Sequence, residues 1–212
     1  MNPNFTVILD ACVLVPAALR DTLLRLAEKR LFLPKWTDAI IAELTTTLEN
    51  KLEKTPEQTS HLVSELKRHF KDAWVDEYAS LISSCTNDKK DRHVLAAAIK
   101  SDSELIVTFN LRHFPETSLK PWKVYVSHPD EFLVDLYDQE PELVIRTLHE
   151  QAEDLKRTLY KLLSVLNPGV PKFVQLVSER LGLERHLSES LKSSVWAQSQ
   201  RVFNVARKKN MG

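Results

Sequence analysis

Two short apolar segments constrain the fold of this chain more than any other feature: TVILD at 6–10 and ELIVTFN at 104–110. Each has the length of a strand, is rich in β-branched residues, and lies between segments whose apolar residues follow a helical spacing. Strands that alternate with helices indicate a mostly parallel sheet with helices covering both faces. We therefore predict an α/β fold.

Weaker strands are predicted at LFLP (31–34) and WKVYVS (122–127), and the segments between the strands are predicted to be helices. These helices are expected over about 17–29, over IIAELTTTLENKLEK after a cap at Thr37 or Asp38, over PEQTSHLVSELKRHF opened by Thr55-Pro56, and over DRHVLAAAIKS after the polar loop TNDKK. From Pro129 onward the pattern is helical throughout: PDEFLVDLYDQ, one long amphipathic helix over 141–166, PKFVQLVSERLG after a break at Asn167-Pro168-Gly169, and a last helix over about 183–208. The sequence thus predicts an α/β domain at 1–138 and a C-terminal helical domain at 139–212.

Composition excludes several classes of protein. The chain has 212 residues, 43% hydrophobic and 27% charged, which is typical of a globular protein rather than a disordered one. Glycine is absent from the first 168 residues, so neither a P-loop nor a GxGxxG dinucleotide motif can lie there. Cys12 and Cys85 cannot form a disulfide framework, which favours a reducing compartment. With no signal peptide or membrane span expected, we predict a cytoplasmic protein.

Polar residues follow both strong strands at the edge where a parallel sheet gathers its functional groups. Asp10 ends the first strand, while Thr108 and Asn110 lie at the end of ELIVTFN. If the two strands are neighbours, these three side chains face one crevice. Glu43, early in the helix after the second strand, and Asp91, at the start of DRHVLAAAI, are placed to join them.

Each acid also has a purely structural interpretation. Asp10 and Asp91 can cap helices, and Glu43 can be a solvated surface residue. Considered as a set, however, clustered carboxylates repel one another unless a cation neutralises them. Hard oxygen ligands suit Mg²⁺ or Mn²⁺, and such a site suits metal-assisted hydrolysis of a phosphodiester.

Four segments, ILDACVL, IIAEL, DRHVLAAAI and IVTFNLRHFP, resemble in order and spacing the signature segments of PIN-domain ribonucleases, most closely the bacterial VapC-type toxins. The resemblance covers about residues 5–138. It implies a three-layer α/β/α fold and a Mg²⁺- or Mn²⁺-dependent endoribonuclease that cleaves RNA and is neutralised by a cognate antitoxin protein. It also implies that Asp10, Glu43 and Asp91 are metal-binding catalytic acids, with Asn110 as a further catalytic residue.

The fourth signature segment departs from the family pattern. Many relatives have an aspartate just before its phenylalanine, and here that position is His113. His113 can donate to a phosphate or only pack and cap, and Asp88 is a nearby acid in the preceding loop. With Thr108 and Arg112, these two residues are the weaker candidates for substrate binding. The number of metal ions, one or two, stays open.

Two other functions remain possible from the sequence. The missing fourth acid leaves open a PIN-like module that binds RNA or protein without cutting. A haloacid-dehalogenase-type phosphatase is disfavoured, because the second aspartate of such enzymes would fall on Cys12, which is expected to be a small buried residue. His93 is likewise expected to be structural. Lys89, Lys90 and Arg92 flank the crevice, where they can hold RNA or simply be solvated.

Charge is unevenly distributed along a chain whose formal net charge is zero. Residues 1–138 carry 17 Lys and Arg against 21 Asp and Glu, and residues 139–212 carry 12 against 8. The last segment, SVWAQSQRVFNVARKKNMG, interleaves basic and aromatic residues. Three roles for it are open: contact with single-stranded RNA, coverage of the α/β domain, and docking of an antitoxin or of a second copy in a homodimer.

Overall fold

A four-stranded parallel sheet forms the centre of the fold in the computed structural model, which describes residues 5–183 and 194–207. The strand order is β2-β1-β3-β4, and every neighbouring pair is parallel. The predicted parallel sheet is therefore confirmed. The strands are β1 (Thr6–Leu9), β2 (Leu33–Lys35), β3 (Leu105–Val107) and β4 (Tyr125–Ser127).

Helices connect the strands and make up the C-terminal part. They are α1 (Ala11–Leu14), α2 (Ala17–Glu28), α3 (Asp38–Leu52), α4 (Pro56–His69), α5 (Arg92–Lys100), α6 (Glu116–Leu119), α7 (Pro129–Gln139), α8 (Pro141–Asp154), α9 (Leu159–Leu166), α10 (Pro171–Leu181) and α11 (Ser194–Arg207). Short 3₁₀ turns lie at Lys71–Ala73, Ala79–Ser84, Lys89–Asp91, Leu111–His113 and Lys120–Trp122.

The central strand β1 explains why its sequence is continuously apolar. Val7, Ile8 and Leu9 are all fully buried. Since successive side chains on a strand point to opposite faces, three buried residues in a row require cover on both faces of the sheet. Helix α5 packs against β1 and β3, and α2 packs against β2. The three-layer arrangement expected from the sequence follows.

The long helix expected over 141–166 is wrong, because the structure has two helices there. Helix α8 ends at Asp154 and α9 begins at Leu159. Lys156 adopts a left-handed conformation with φ of 51°, and the N–H of Arg157 donates to the carbonyl of Ala152 at 2.9 Å. This bond closes the end of α8 in the way that left-handed residues commonly terminate helices.

Side chains of the C-terminal helices are continuous with the core of the α/β part. Thr22 Oγ1 on α2 donates to Gln151 Oε1 on α8 at 2.8 Å, and Gln151 Nε2 donates to the carbonyl of Ala18 at 3.0 Å. Apolar residues from α8, α9 and α10 belong to the same buried cluster as β1. The division into domains at 138/139 stays a prediction.

The last helix, α11, packs against α9 and, to a lesser extent, against α1 of the α/β part. Phe203 and Ala206 are buried, and the Phe203 ring lies where a side chain on Gly169 would be. Part of the predicted last helix, residues 184–193 and 208, lies outside the described residues. Within the described residues, no helix is both long and apolar enough to cross a membrane.

Candidate active site

Asp10 is fixed at the carboxyl end of β1 by the neighbouring strand. Its N–H donates to the carbonyl of Val107 at 3.1 Å, and its side chain is completely buried. Oδ2 of Asp10 accepts a hydrogen bond from Thr108 Oγ1 at 2.7 Å. Although Asp10 precedes α1, its side chain makes no capping hydrogen bond to that helix. The capping interpretation therefore does not account for this carboxylate.

Thr108 and Asn110 lie beside Asp10 because β3 pairs directly with β1. After β3 the chain turns, and the N–H of Asn110 donates to Thr108 Oγ1 at 3.0 Å. The side chain of Asn110 is only 6% exposed, and its Nδ2 has no hydrogen-bond partner among the described residues. A buried amide donor without an acceptor is costly, so this position suits contact with a ligand oxygen.

Asp91 is held by His113 rather than by its own helix. It precedes α5 but makes no capping hydrogen bond, and it is 1% exposed. Its Oδ2 lies 2.6 Å from His113 Nδ1, while Nε2 of the same ring accepts from Arg112 Nε at 3.2 Å. Since Nε2 accepts, Nδ1 must carry the proton and donate to Asp91.

The turn Leu111–His113 links the side chain that holds Asp10 to the side chain that holds Asp91. The N–H of His113 donates to the carbonyl of Asn110 at 2.9 Å, so the ring that holds Asp91 is carried by the loop that follows Thr108. Asp10 and Asp91 are thus fixed by side chains of one short segment, 108–113. Two largely desolvated carboxylates at one edge of the sheet favour a cation.

Asp88 adds a third donor beside Asp91 and His113. One ligand atom from each of these residues lies within 4.8 Å of the others, which is a donor set able to hold a metal ion. Asp88 is exposed, and its Oδ1 caps the following 3₁₀ turn by accepting from the N–H of Lys90 at 3.0 Å. Its own N–H donates to the carbonyl of His113 at 3.1 Å.

Glu43 reaches the same region from α3. Its Oε1 lies 3.5 Å from His93 Nε2, and His93 Nδ1 lies 3.0 Å from the carbonyl of Lys90, within the turn that contains Asp91. The Glu43 side chain is 33% exposed. His93, expected to be structural, contacts one of the predicted acids. His93 can do so because α5 begins only at Arg92, so Asp91 and His93 do not lie on opposite sides of one helix.

Sequence reasoning missed the contact of Cys12 with the site. Its Sγ lies 3.0 Å from Asp10 Oδ2 and accepts from the N–H of Phe109 at 3.3 Å. Only its separation of two residues from Asp10 hinted at this position. Asn87 was also missed: it is 3% exposed, and neither polar atom of its amide has a hydrogen-bond partner among the described residues.

The basic residues that flank the site differ in their contacts and exposure. Arg92 Nε donates to the carbonyl of Asn87 at 3.3 Å and so holds the loop, whereas Lys89 and Lys90 are exposed. Arg207 on α11 lies over the Phe109 ring, 5.9 Å from its centre. Helix α11 therefore contacts the residue that lies between Thr108 and Asn110.

His128 borders this region and stays neutral more readily than a free histidine. Its ring lies against Phe109, with 5.1 Å between ring centres, and Nδ1 accepts from the N–H of Asp130 at 3.2 Å. Burial lowers the pKa of His128, and the positive charge of Arg207 lowers it further.

Two protein-family models match parts of the chain. The PIN domain model matches residues 6–112, just over half of the sequence, and the chain belongs to the PIN domain family. The resemblance of the four signature segments is confirmed. A second model, the VapC50 C-terminal domain, matches residues 129–179.

A curated protein of Mycobacterium tuberculosis named "Putative ribonuclease VapC50" is 43% identical over 99 residues. The aligned region is 45% of this chain and 59% of that relative, so the match spans well under two thirds of the relative's length. This likeness agrees with the VapC-type branch noted from the sequence. No solved structure matches the chain.

Proposed function

We propose that this chain is a metal-dependent endoribonuclease that hydrolyses RNA phosphodiester bonds and acts as the toxin of a toxin–antitoxin pair. One observation carries the proposal: the carboxylates of Asp10 and Asp91 are buried, cap no helix, and are held by side chains of the single segment 108–113. Membership of the PIN domain family and the likeness to a named ribonuclease support RNA as the substrate.

The donor set fits a divalent cation with a preference for oxygen ligands. Asp10, Glu43 and Asp91 would hold Mg²⁺ or Mn²⁺. Asp88 offers a further carboxylate beside Asp91, and Asp88, Asp91 and His113 form the group of described residues whose donor atoms already lie within 4.8 Å of one another. A bound ion of this kind supplies polarisation of a phosphoryl oxygen and stabilises the negative charge that develops during phosphodiester hydrolysis.

The chain's own residues orient these acids and the substrate. Thr108 Oγ1 and Cys12 Sγ hold one oxygen of Asp10, and the Nδ1–H of His113 holds one oxygen of Asp91. Fixed outer partners of this kind keep acidic ligands in one orientation. Asn110 Nδ2, which has no partner among the described residues, donates to a phosphate oxygen when RNA binds.

Cleavage of a labelled RNA by the purified chain, measured over a series of Mn²⁺ concentrations, tests this function. We expect the Asp10→Asn variant to lose at least about a hundredfold in rate, the order seen when one charge-stabilising group is removed. The matched control is Asp102→Asn, an exposed acid before β3, at the opposite edge of the sheet. Cleavage that persists in a folded Asp10→Asn variant overturns the proposal.

A second function is favoured by His113 at the position of the fourth acid. A PIN-like module with this substitution binds RNA or a protein without cutting. It predicts retained RNA binding with no strand scission at any Mn²⁺ or Mg²⁺ concentration, whereas the endoribonuclease predicts scission that requires one of these ions.

The biological partners follow from the toxin assignment. We expect a cognate antitoxin protein that abolishes cleavage, a cytoplasmic location, and a possible homodimer. Expression of the chain in a bacterial host should arrest growth, and co-expression of the protein encoded beside it should relieve the arrest. Growth arrest by the Asp10→Asn variant equal to that of the unsubstituted chain refutes the toxin role.

A further inference from the structure

A cleft in the helical part of the chain is lined by three cationic side chains. Its volume is about 530 Å³, and it lies between the turn that joins α8 and α9, the start of α2, and α11. Lys156 and Arg157 come from the turn, and Lys161 from the first turn of α9. The described residues that line the cleft include no aspartate or glutamate. The described lining of the cleft therefore carries a net positive charge.

These three cations lack acidic partners within the described part of the chain. All three side chains are exposed, and none takes part in an ion pair there. On the neighbouring helix, by contrast, Arg25 pairs with Asp154 of α8 at 2.8 Å. Because adjacent like charges repel, an unpaired group of cations is stabilised by an external anion.

The backbone holds the cations in place. The N–H of Lys156 donates to the carbonyl of Glu153 at 2.8 Å, and the N–H of Arg157 donates to that of Ala152 at 2.9 Å. These two hydrogen bonds define the backbone conformation of the turn. A ligand that binds here meets charges whose backbone positions are already set, which lowers the entropic cost of binding.

The floor of the cleft is apolar and contacts a residue beside the candidate active site. Pro16, Val202 and Phe203 contribute to it. Pro16 lies six residues after Asp10, roughly 10 Å along the chain at the rise of a helix. Phe203 packs against Phe109, which lies between Thr108 and Asn110, with 5.9 Å between the ring centres. One short helix and one aromatic pair separate the cleft from the acids.

We propose that this cleft binds the backbone phosphates of an RNA strand on one side of the scissile bond. The proposal rests on the proposed endoribonuclease function and adds a substrate subsite to it, formed by the C-terminal helices. The positive charges of the three side chains are complementary to phosphates, and the apolar floor accommodates a ribose or a base. RNA is favoured over an acidic peptide because the proposed substrate is RNA and because Phe203 in the floor of the cleft contacts Phe109, next to Thr108 and Asn110.

Binding of a labelled single-stranded RNA tests the subsite. Fluorescence anisotropy is measured in the Asp10→Asn chain, so that the RNA stays uncut, over a series of potassium chloride concentrations. The cleft variant adds the substitutions Lys156→Gln, Arg157→Gln and Lys161→Gln. The control variant removes the same charge from exposed lysines away from the cleft, by Lys51→Gln, Lys71→Gln and Lys120→Gln.

We expect the cleft variant to bind RNA about tenfold more weakly than its parent. The plot of log association constant against log salt concentration should become less steep by about 2, since each of three lost phosphate contacts on a single strand reduces the steepness by about 0.7. The control variant should differ little from the Asp10→Asn parent. Thermal unfolding of all three chains should be alike, because every substituted side chain is exposed.

Two outcomes separate this proposal from the proposed function. If the unsubstituted chain cuts RNA but the cleft and control variants bind RNA equally well, the subsite is wrong and the endoribonuclease stands. If the chain neither binds nor cuts RNA, both fail. Retained RNA binding with lost binding of a polyglutamate probe overturns the RNA assignment in favour of an acidic protein.

Photo-crosslinking gives a second measurement that needs no substitution in the cleft. RNA containing 4-thiouridine is irradiated with the Asp10→Asn chain, and the crosslinked peptides are identified by mass spectrometry. Crosslinks within 156–161 or 198–203 support the subsite. Crosslinks confined to other segments overturn it.

Discussion

Replacement of Thr108 by valine tests how the active-site acid is held. The Thr108 side chain is fully buried, and its hydroxyl donates to Asp10 Oδ2 at 2.7 Å while accepting from the N–H of Asn110 at 3.0 Å. Valine has nearly the same shape but neither donates nor accepts. The Thr108→Val variant therefore removes these two hydrogen bonds, together with the longer 3.3 Å contact between Thr108 Oγ1 and Cys12 Sγ, with little change in packing.

The magnitude follows from these two contacts. A hydrogen bond to a charged group contributes about 1.5–3 kcal/mol, and a buried N–H left without an acceptor costs about 1–3 kcal/mol. Because the two effects share one hydroxyl and are not additive, we expect the free energy of unfolding to fall by about 2–4 kcal/mol. Loss of an outer partner of a metal ligand should weaken divalent-ion binding about 10- to 100-fold.

Isothermal titration with Mn²⁺ and urea unfolding measure the two effects separately. Thr108→Ser is the matched control, because it keeps the hydroxyl and loses only a methyl group, at a cost of about 1 kcal/mol. The serine variant should retain most of the Mn²⁺ affinity. A folded Thr108→Val variant with the Mn²⁺ affinity and cleavage rate of the parent would refute the reasoning that this hydroxyl orients Asp10.

Three further predictions concern the elements that surround the site. Gly169→Ala should lower the melting temperature, at an overpacking cost of about 1–3 kcal/mol, because the new methyl overlaps the Phe203 ring. Adding Phe203→Leu should restore part of the loss. An unchanged melting temperature in Gly169→Ala contradicts the packing of Phe203 against Gly169. Asp130→Ala should lower the free energy of unfolding, measured in urea, by about 2–5 kcal/mol, because the buried carboxylate accepts two backbone N–H bonds at the start of α10, at 2.9 and 3.1 Å. Asp130→Asn keeps one acceptor and should lower it less. Burial lowers the pKa of His128 in the folded protein, so the unfolded chain takes up the proton first: the free energy of unfolding should fall as the pH drops through about 6.5 and stay level above it. His128→Asn, which keeps a capping atom, should flatten that decline, and an identical decline in both chains contradicts the assignment.

The sheet could be predicted because its signal is local. Apolar runs such as TVILD and ELIVTFN identify buried strands, and their alternation with helices gives a parallel sheet. The break between α8 and α9 could not be predicted, because it depends on a left-handed Lys156, and lysine has no preference for that conformation. Helix α1 was also missed, since four residues are too few for a periodic pattern.

At the site, the residues at strand ends were predictable and the partners from turns were not. Asp10, Thr108 and Asn110 follow from the rule that parallel strands gather functional groups at their carboxyl ends. The pairing of His113 with Asp91 depends on the 3₁₀ turn Leu111–His113, which folds the chain back by a geometry that no sequence motif specified. The contact of Cys12 with Asp10 depends on the direction of one side chain in a four-residue helix.

The proposed chemistry requires that Asp10, Glu43 and Asp91 share one divalent ion. Anomalous X-ray diffraction from crystals of the chain soaked in Mn²⁺ tests this claim most directly, because it locates manganese without reference to activity. We predict a manganese peak coordinated by carboxylate oxygens of both Asp10 and Asp91, with Glu43 as a ligand directly or through water. A peak held by Asp88 and His113 without Asp10, or no peak at this edge of the sheet, would contradict the account.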